Sequence, residues 1–222
     1  MLMLYACYVY FGSNSLRRAS KILEPLKKRS YEAIRQWVQR LAPLCDRFDV
    51  DRKRVSLIFV DETMIKIKGK RAWVWVAFEP GLRAFLSFRV SYNQSTLDAY
   101  LFLKELRIRY GLKPIWTDDD ANWYPEACRW LRLEHHVYGD EWKNLIERMN
   151  QSLKDRLENF DDYFPCLKDG CKKEHVRNWI SVFRFYHNYV KVNGEIGRAP
   201  LTYDDRPEYQ RFIEMLREVT LT

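Results

Sequence analysis

Between Val55 and Val90 the chain carries three strand-patterned segments in immediate succession, and this feature restricts the fold more than any other. Val55–Val60 is a nearly continuous apolar run, and Met64–Lys68 then alternates apolar and polar residues up to a turn at Gly69. Ala72–Phe78 is the next strand, closed by Pro80-Gly81, and Arg83–Val90 is the third. Adjacent strands joined by such short turns pair antiparallel, as a meander. After Val90 the texture alternates. Ser95 or Thr96 opens a helix that runs to Tyr110 and stops at Gly111. A short strand at 113–117, a helix from Pro125 to Leu131, a strand at 135–138 and a long helix from Glu141 to about Asn159 follow. The order βββαβαβα predicts an α/β fold, a mixed sheet with helices on its faces.

The front of the chain differs in kind. Ser15 caps a short helix with Leu16, Ala19, Ile22 and Leu23 on one face, ended by Pro25. Ser30 caps a second, whose stripe is Ala33, Ile34, Trp37, Val38 and Leu41. This pair has the form of a helix-turn-helix, or of an ordinary helical hairpin with a solvated basic face. Tyr31, Arg35, Gln36, Gln39 and Arg40 occupy the other face of the second helix, as side chains suited to phosphates and base edges. Between Gly12 and Cys45 there are eight Lys or Arg against Glu24 and Glu32, so the net charge of +8 is strongly represented at this end. Clustered cations gain affinity for a polyanion by releasing its counterions. The expected division is a helix-turn-helix region at 1–45, a linker at 46–54, a catalytic domain at 55–192 and a C-terminal tail at 193–222. A further aromatic-rich helix is expected from Val176 to Tyr189.

Met1–Phe11 is apolar but much shorter than the ~20 residues a membrane helix needs, and it predicts a buried helix. Five scattered cysteines are an odd number and suit a reducing compartment, so the expected location is the cytoplasm.

Three acids fall where this topology can gather them. Asp61 directly follows the first apolar run, Asp118 follows Lys113–Thr117, and Glu147 lies on the long helix. That helix divides into Trp142, Leu145, Met149, Leu153 and Leu157 on one stripe and Glu147, Gln151, Lys154 and Glu158 on another. Converging carboxylates repel, and oxygen-only donors favour Mg2+ or Mn2+. Two such ions can clamp the attacking and leaving oxygens of a phosphodiester displacement. Taken singly, each acid is better explained as a solvated surface residue, as most Asp and Glu are. Cys166, Cys171 and His175, with His187 beyond, have spacings compatible with zinc but lack an obvious fourth ligand. His135 and His136, and the set Trp179, Phe183, Phe185 and Tyr186, fit packing better than chemistry.

Phe59-Val60-Asp61-Glu62-Thr63, followed by Lys66, Lys68 and Gly69, resembles the first acidic motif of DDE-type insertion-sequence transposases, especially the short archaeal and halobacterial kind. Thr117-Asp118 with Trp123-Tyr124-Pro125-Glu126-Ala127 is similar to their second motif. Asn144-Leu145-Ile146-Glu147-Arg148 with Lys154-Asp155-Arg156 is similar to their third, in which a Lys or Arg stands seven residues after the Glu. The likeness extends through Phe160–Pro165 and Trp179–Asn188, and at the front through Ser15-Leu16-Arg17-Arg18 and Ser30–Arg40.

The resemblance implies a ribonuclease H-like, integrase-like core with Asp61, Asp118 and Glu147 as catalytic metal ligands for two Mg2+ or Mn2+ ions. It implies DNA contacts from Arg17, Arg18, Tyr31, Arg35, Gln36, Arg40 and Lys154, cleavage at the element's terminal repeats, strand transfer, and a homodimer or higher assembly on DNA. The family has Asp-Gly at the second acid where this chain has Asp118-Asp119-Asp120. Counting from the strand selects Asp118; counting back from Trp123 selects Asp119. A decayed transposase, or a helix-turn-helix regulator without activity, is the alternative reading.

Overall fold

The computed structural model describes residues 1–222 apart from 14, 119, 120, 140, 143, 146, 149, 150, 152, 154–169 and 222. Two compact units are present, one made of 50–176 and the other of 1–49 with 177–222.

The first unit is built on a five-stranded sheet of order β3-β2-β1-β4-β5. Its strands are β1 (Ile58–Ile67), β2 (Lys70–Glu79), β3 (Ala84–Ser91), β4 (Ile115–Thr117) and β5 (His135–Val137). β1 pairs antiparallel with β2, and β2 with β3. β4 lies parallel to β1 on its other side, and β5 parallel to β4. This is the mixed, helix-flanked sheet required by the ribonuclease H-like expectation. The β1–β2 connection is two residues, Lys68 and Gly69, with φ of 52° and 73°. Positive φ at both positions is the turn whose twist matches a hairpin, and glycine meets that demand at the second without strain.

The apolar run and the alternating segment of the first motif form one continuous strand. Asp61 therefore lies inside β1, opposite Val76, rather than at a strand end as the sequence pattern suggested. What ends near it is the short parallel ladder to β4, whose last β1 residue is Phe59. Beyond that point the hairpin continues alone.

Two helices belong to this unit alongside the sheet. α4 (Thr96–Tyr110) is capped by Ser95, whose hydroxyl accepts from the Asp98 N–H, and ends at Gly111 with φ of 86°. α5 (Trp123–Leu131) starts two residues before Pro125, so the proline sits in the first turn, where no intrahelical N–H is needed. The described residues from 141 to 153 are helical as well, and those after Leu153 in the expected helix lie outside the described set. Trp75 is completely buried, and its indole N–H donates to the Ser91 hydroxyl at 2.8 Å.

In the other unit, α1 (Leu2–Ser13) is the expected buried helix, with Leu4, Ala6, Cys7, Val9, Tyr10 and Phe11 inside. α2 (Leu16–Leu23) and α3 (Tyr31–Cys45) carry the predicted caps: the Ser15 and Ser30 hydroxyls accept from Arg18 and Ala33 N–H groups. α3 continues through Pro43 rather than stopping short of it. Pro43 supplies no N–H to the turn before it, and the helix is held past it by the burial of Ala42 and Cys45.

The expected catalytic-domain boundary at 192 and the compact-unit boundary at 176 differ. The aromatic residues of α6 (Lys173–Phe185) explain this, because beyond 176 they pack on the N-terminal helices. The Trp179 N–H donates to the Tyr10 hydroxyl at 3.0 Å, Phe11 lies 5.7 Å from the Trp179 ring, and Phe48 lies 4.6 Å from Phe185. The Arg184 guanidinium, almost wholly buried, donates to the Phe48 carbonyl. The regular helix stops at Phe185, short of the expected Tyr189, and a π-helical turn at Tyr186–Val190 continues the segment. The expected tail contains a further helix, α7 (Glu208–Leu221), whose Phe212 and Leu216 are fully buried.

Candidate active site

The parallel register sets the geometry. Ile58 faces Ile115 and Phe59 faces Trp116 across β1 and β4. Asp61 and Asp118 each come two residues after the second pair, Asp61 inside β1 and Asp118 just beyond the end of β4. Both are half-buried. The Asp61 Oδ1 accepts from the Glu62 N–H at 2.8 Å. Just before Asp118, the Thr117 hydroxyl lies 2.9 Å from His135 Nε2 and donates to the Asp118 carbonyl at 3.0 Å, which fixes the end of β4.

Glu147 is exposed, among the described helical residues between 141 and 153. Of these residues Leu153 is buried and Leu145 half-buried, Glu147 and Gln151 are exposed as their stripe requires, and Trp142, expected on the apolar stripe, is 37% exposed. Trp142 packs 5.6 Å from the Phe59 ring, tying the segment to β1.

Tyr138 follows β5 and sets its ring edge against Phe59 at 5.4 Å. Burial pushes the Tyr138 phenol well above its ordinary range, and the charges of Asp61, Asp118, Glu62 and Glu147 each push it further. Groups from β1, the end of β4 and the helical segment thus act on one hydroxyl. Gathered like charges are costly, and a hard divalent cation removes the cost. The donor set, all carboxylate oxygen, fits such an ion. Among the described residues no three of His, Cys, Asp and Glu stand close enough to hold a metal between them.

Glu62 had no assigned role in the sequence reading. Its carboxylate accepts from Gln94 Nε2 at 3.0 Å, from the Tyr124 hydroxyl at 2.5 Å and from Trp123 Nε1 at 3.4 Å. Burial raises its pKa, these three donors lower it, and Asp118 raises it again. Trp123 and Tyr124 open α5, shortly after Asp118. Their bonds to the residue following Asp61 tie the two aspartate-bearing segments together. The signal lay in the first and second motifs, which contain Glu62 and the Trp123-Tyr124 pair, but strand pairing was needed to bring them together.

The residues expected at DNA stand as follows. Arg17, Arg18, Gln36 and Arg40 are exposed, and Tyr31 is 36% exposed. The Arg17 guanidinium lies 5.8 Å from the Tyr31 ring centre. Arg35 is half-buried and bound to Glu32 through Nε at 2.9 Å and Nη2 at 2.6 Å, so its charge is met along α3. Gln39 does not sit on an open face, because its side chain accepts from Asn178 at 3.1 Å. Lys154, Asp119 and Cys166 lie outside the described residues. Cys171 is buried, and the His175 Nδ1 accepts from the Lys172 N–H at 3.1 Å. His135 and His136 serve packing, the latter stacked on Trp116 at 4.6 Å.

Residues 55–192 match the family model described as a DDE domain, of the IS240 transposase kind. The chain belongs to the DDE-domain transposase family. An uncharacterized protein of Methanocaldococcus jannaschii is 29% identical over 183 residues, 82% of this DDE-family chain and 83% of its relative. Solved structures also resemble it. A chain of a simian T-cell lymphotropic virus intasome is 20% identical over 71% of this chain and 54% of its own, with a TM-score of 0.49. This chain therefore spans about half the length of that intasome chain. The HTLV-2 integrase catalytic core domain in complex with magnesium is 16% identical over 65% of this chain and 93% of its own, with a TM-score of 0.47. The catalytic core domain of BIV integrase is 18% identical over 75% and 98%, with a TM-score of 0.45.

Proposed function

We propose that this DDE-family chain binds the terminal repeats of its insertion sequence, cleaves the DNA there and joins the freed ends to target DNA. The observation carrying the proposal is the DDE-domain match over residues 55–192, together with Asp61 and Asp118 each lying two residues past the parallel Phe59–Trp116 pair. In each step an oxygen nucleophile, water or a DNA 3′ hydroxyl, attacks phosphorus while the bond to the bridging oxygen of the leaving strand breaks. Asp61, Asp118 and Glu147 would hold two Mg2+ or Mn2+ ions, which supply charge stabilisation for the attacking and leaving oxygens when bound.

The chain's own residues do the positioning. Glu62, gripped by Tyr124, Trp123 and Gln94, holds the segment after Asp118 against β1. Thr117 and His135 hold the strand end before it. Arg17, Arg18, Tyr31, Gln36 and Arg40 on α2 and α3 would take the terminal repeat, and Lys154 the backbone beside the metals. Two DNA ends must be held at once, so the working form is a dimer or higher assembly, acting on cytoplasmic nucleoid DNA. Among the described residues no helix is long and apolar enough to cross a membrane.

The test is Mn2+-dependent nicking of duplex DNA by the purified chain and by Asp61→Asn, Asp118→Asn, Asp119→Asn and Glu147→Gln. Loss with Asp61→Asn, Glu147→Gln and only one of the other two supports the proposal and identifies the second ligand. An inactive natural chain that still binds DNA specifically would favour a decayed or regulatory protein.

A further inference from the structure

The 50–176 unit contains a hollow of about 560 Å³ that no part of the proposed chemistry uses. Lys68, Lys70, Arg71, Lys172 and Lys173 surround it, together with Tyr92. Three of these cations belong to the β1–β2 hairpin tip, and the other two stand at the start of α6. All five are exposed, and no acid lines the hollow among the described residues. Lys68, Lys70, Arg71 and Lys172 make no ion pair among the described residues. Lys173 Nζ lies 5.9 Å from the centre of the Tyr92 ring, which is 48% exposed. Ile67 and Cys171, both almost wholly buried, complete the lining with apolar surface.

Two separate stretches of chain thus bring like charges around one concavity, a repulsive arrangement that an anion turns into an attractive one. Sites for small organic ligands carry only a few polar or charged groups, whereas five of the eight residues lining this hollow are cations. One phosphate carries at most two charges and leaves most of the five unmet. A backbone presenting several phosphates in a row meets them all. The hairpin places this hollow relative to the carboxylates: Lys68 follows Asp61 by seven residues, about 23 Å along a strand at ~3.3 Å per residue. Along a duplex rising ~3.4 Å per base pair, that is roughly seven base pairs.

We propose that this hollow is a second DNA-backbone site, which holds the duplex about seven base pairs from the bond being exchanged. The proposal rests on the functional reading above for its ligand. Its contacts are to phosphates, so it adds affinity and register without sequence preference.

The experiment is fluorescence anisotropy of the full chain with a labelled 30-base-pair duplex, without divalent metal, across a range of KCl concentrations. The triple variant Lys70→Gln, Arg71→Gln, Lys172→Gln is compared with a control, Lys104→Gln, Arg107→Gln, Arg109→Gln, which removes the same charge from the exposed side of α4. Three lost phosphate contacts should reduce the slope of log K against log salt by about 2.7, and lower affinity at 0.1 M salt on the order of 100-fold. The control should change neither by more than a small fraction of that. Lys172→Gln alone, expected to lower the slope by about 0.9, keeps the test open should the triple variant fold poorly. Equal losses in variant and control, or an unchanged slope in the variant, would overturn the hollow's role while leaving the active-site reading standing. A natural chain that binds no duplex at all would instead remove the functional reading itself. Displacement of the duplex by low-millimolar inorganic phosphate, equal in the natural chain and the variant, would also overturn the proposal.

Discussion

Replacing Tyr124 with Phe isolates the bond that joins the two halves of the candidate site. Tyr124 is completely buried, and its ring meets Trp75 edge-on at 5.8 Å, a contact that Phe preserves. The substitution therefore removes little besides the hydroxyl that donates to Glu62 Oε2 at 2.5 Å. Among the described residues that oxygen then keeps the 3.4 Å approach of Trp123 Nε1. A hydrogen bond to a charged, largely buried group contributes about 1.5–3 kcal/mol. In a chain of this length each kcal/mol moves the melting temperature by about 2–4 °C, so a fall of about 3–12 °C is expected at neutral pH. The sign of the pH dependence follows from the charge state. Burial holds the Glu62 pKa above its ordinary value, and the Tyr124 bond, which favours the charged form, lowers it. Without that bond the folded-state pKa rises further, and stability is lost as pH rises through it. The deficit should therefore shrink on acidification towards pH 4.5, where the carboxyl is protonated more fully in both proteins. Thermal unfolding at pH 4.5 and 7.5 measures this. A melting temperature within 1 °C of the natural chain at pH 7.5, or an equal deficit at both pH values, would refute the reasoning.

Three further outcomes follow from the same physics. Glu62→Gln removes a group whose folded-state pKa is raised, so the loss of stability that this group causes as pH climbs from the ordinary carboxylate range should disappear; a melt series from pH 4 to 8 in which both proteins keep the same slope would count against it. Mn2+ at a hundred times its dissociation constant should stabilise the natural chain by about 2.7 kcal/mol, and Asp61→Asn and Glu147→Gln should reduce that gain sharply; equal thermal shifts in all three would mean the ion binds elsewhere. Phe212→Ala, at a fully buried position in α7, should cost about 3–5 kcal/mol, and a loss under 1 kcal/mol in urea unfolding would show that the C-terminal helix contributes little to its unit.

Local patterns carried much of this fold. Alternation and apolar runs marked all five strands, and the Ser15, Ser30 and Ser95 caps form where hydroxyl chemistry predicts. Asp61 and Asp118 became neighbours on paper as soon as β1 and β4 were taken as adjacent, because parallel pairing aligns residues at equal distances along both strands. The features that were missed depend on tertiary partners. Asp61 follows an apolar run that looked complete by itself, and only the hairpin to β2 extends the strand past it. Gln39 belonged by periodicity to the polar face of α3, yet Asn178, far away in sequence, receives it. The stripe that buries Phe212 and Leu216 was too diluted by charged neighbours to mark α7. Nothing in the immediate sequence neighbourhood of Glu62 announces donors from Gln94, Trp123 and Tyr124.

The most direct test of the central claim is strand joining. The natural chain and Glu147→Gln would be incubated with Mg2+, a labelled duplex ending in the element's terminal repeat, and an unlabelled target plasmid. The account predicts labelled plasmid, formed through the repeat's 3′ end, from the natural chain and none from Glu147→Gln. Joined product in equal yield from both proteins would contradict it.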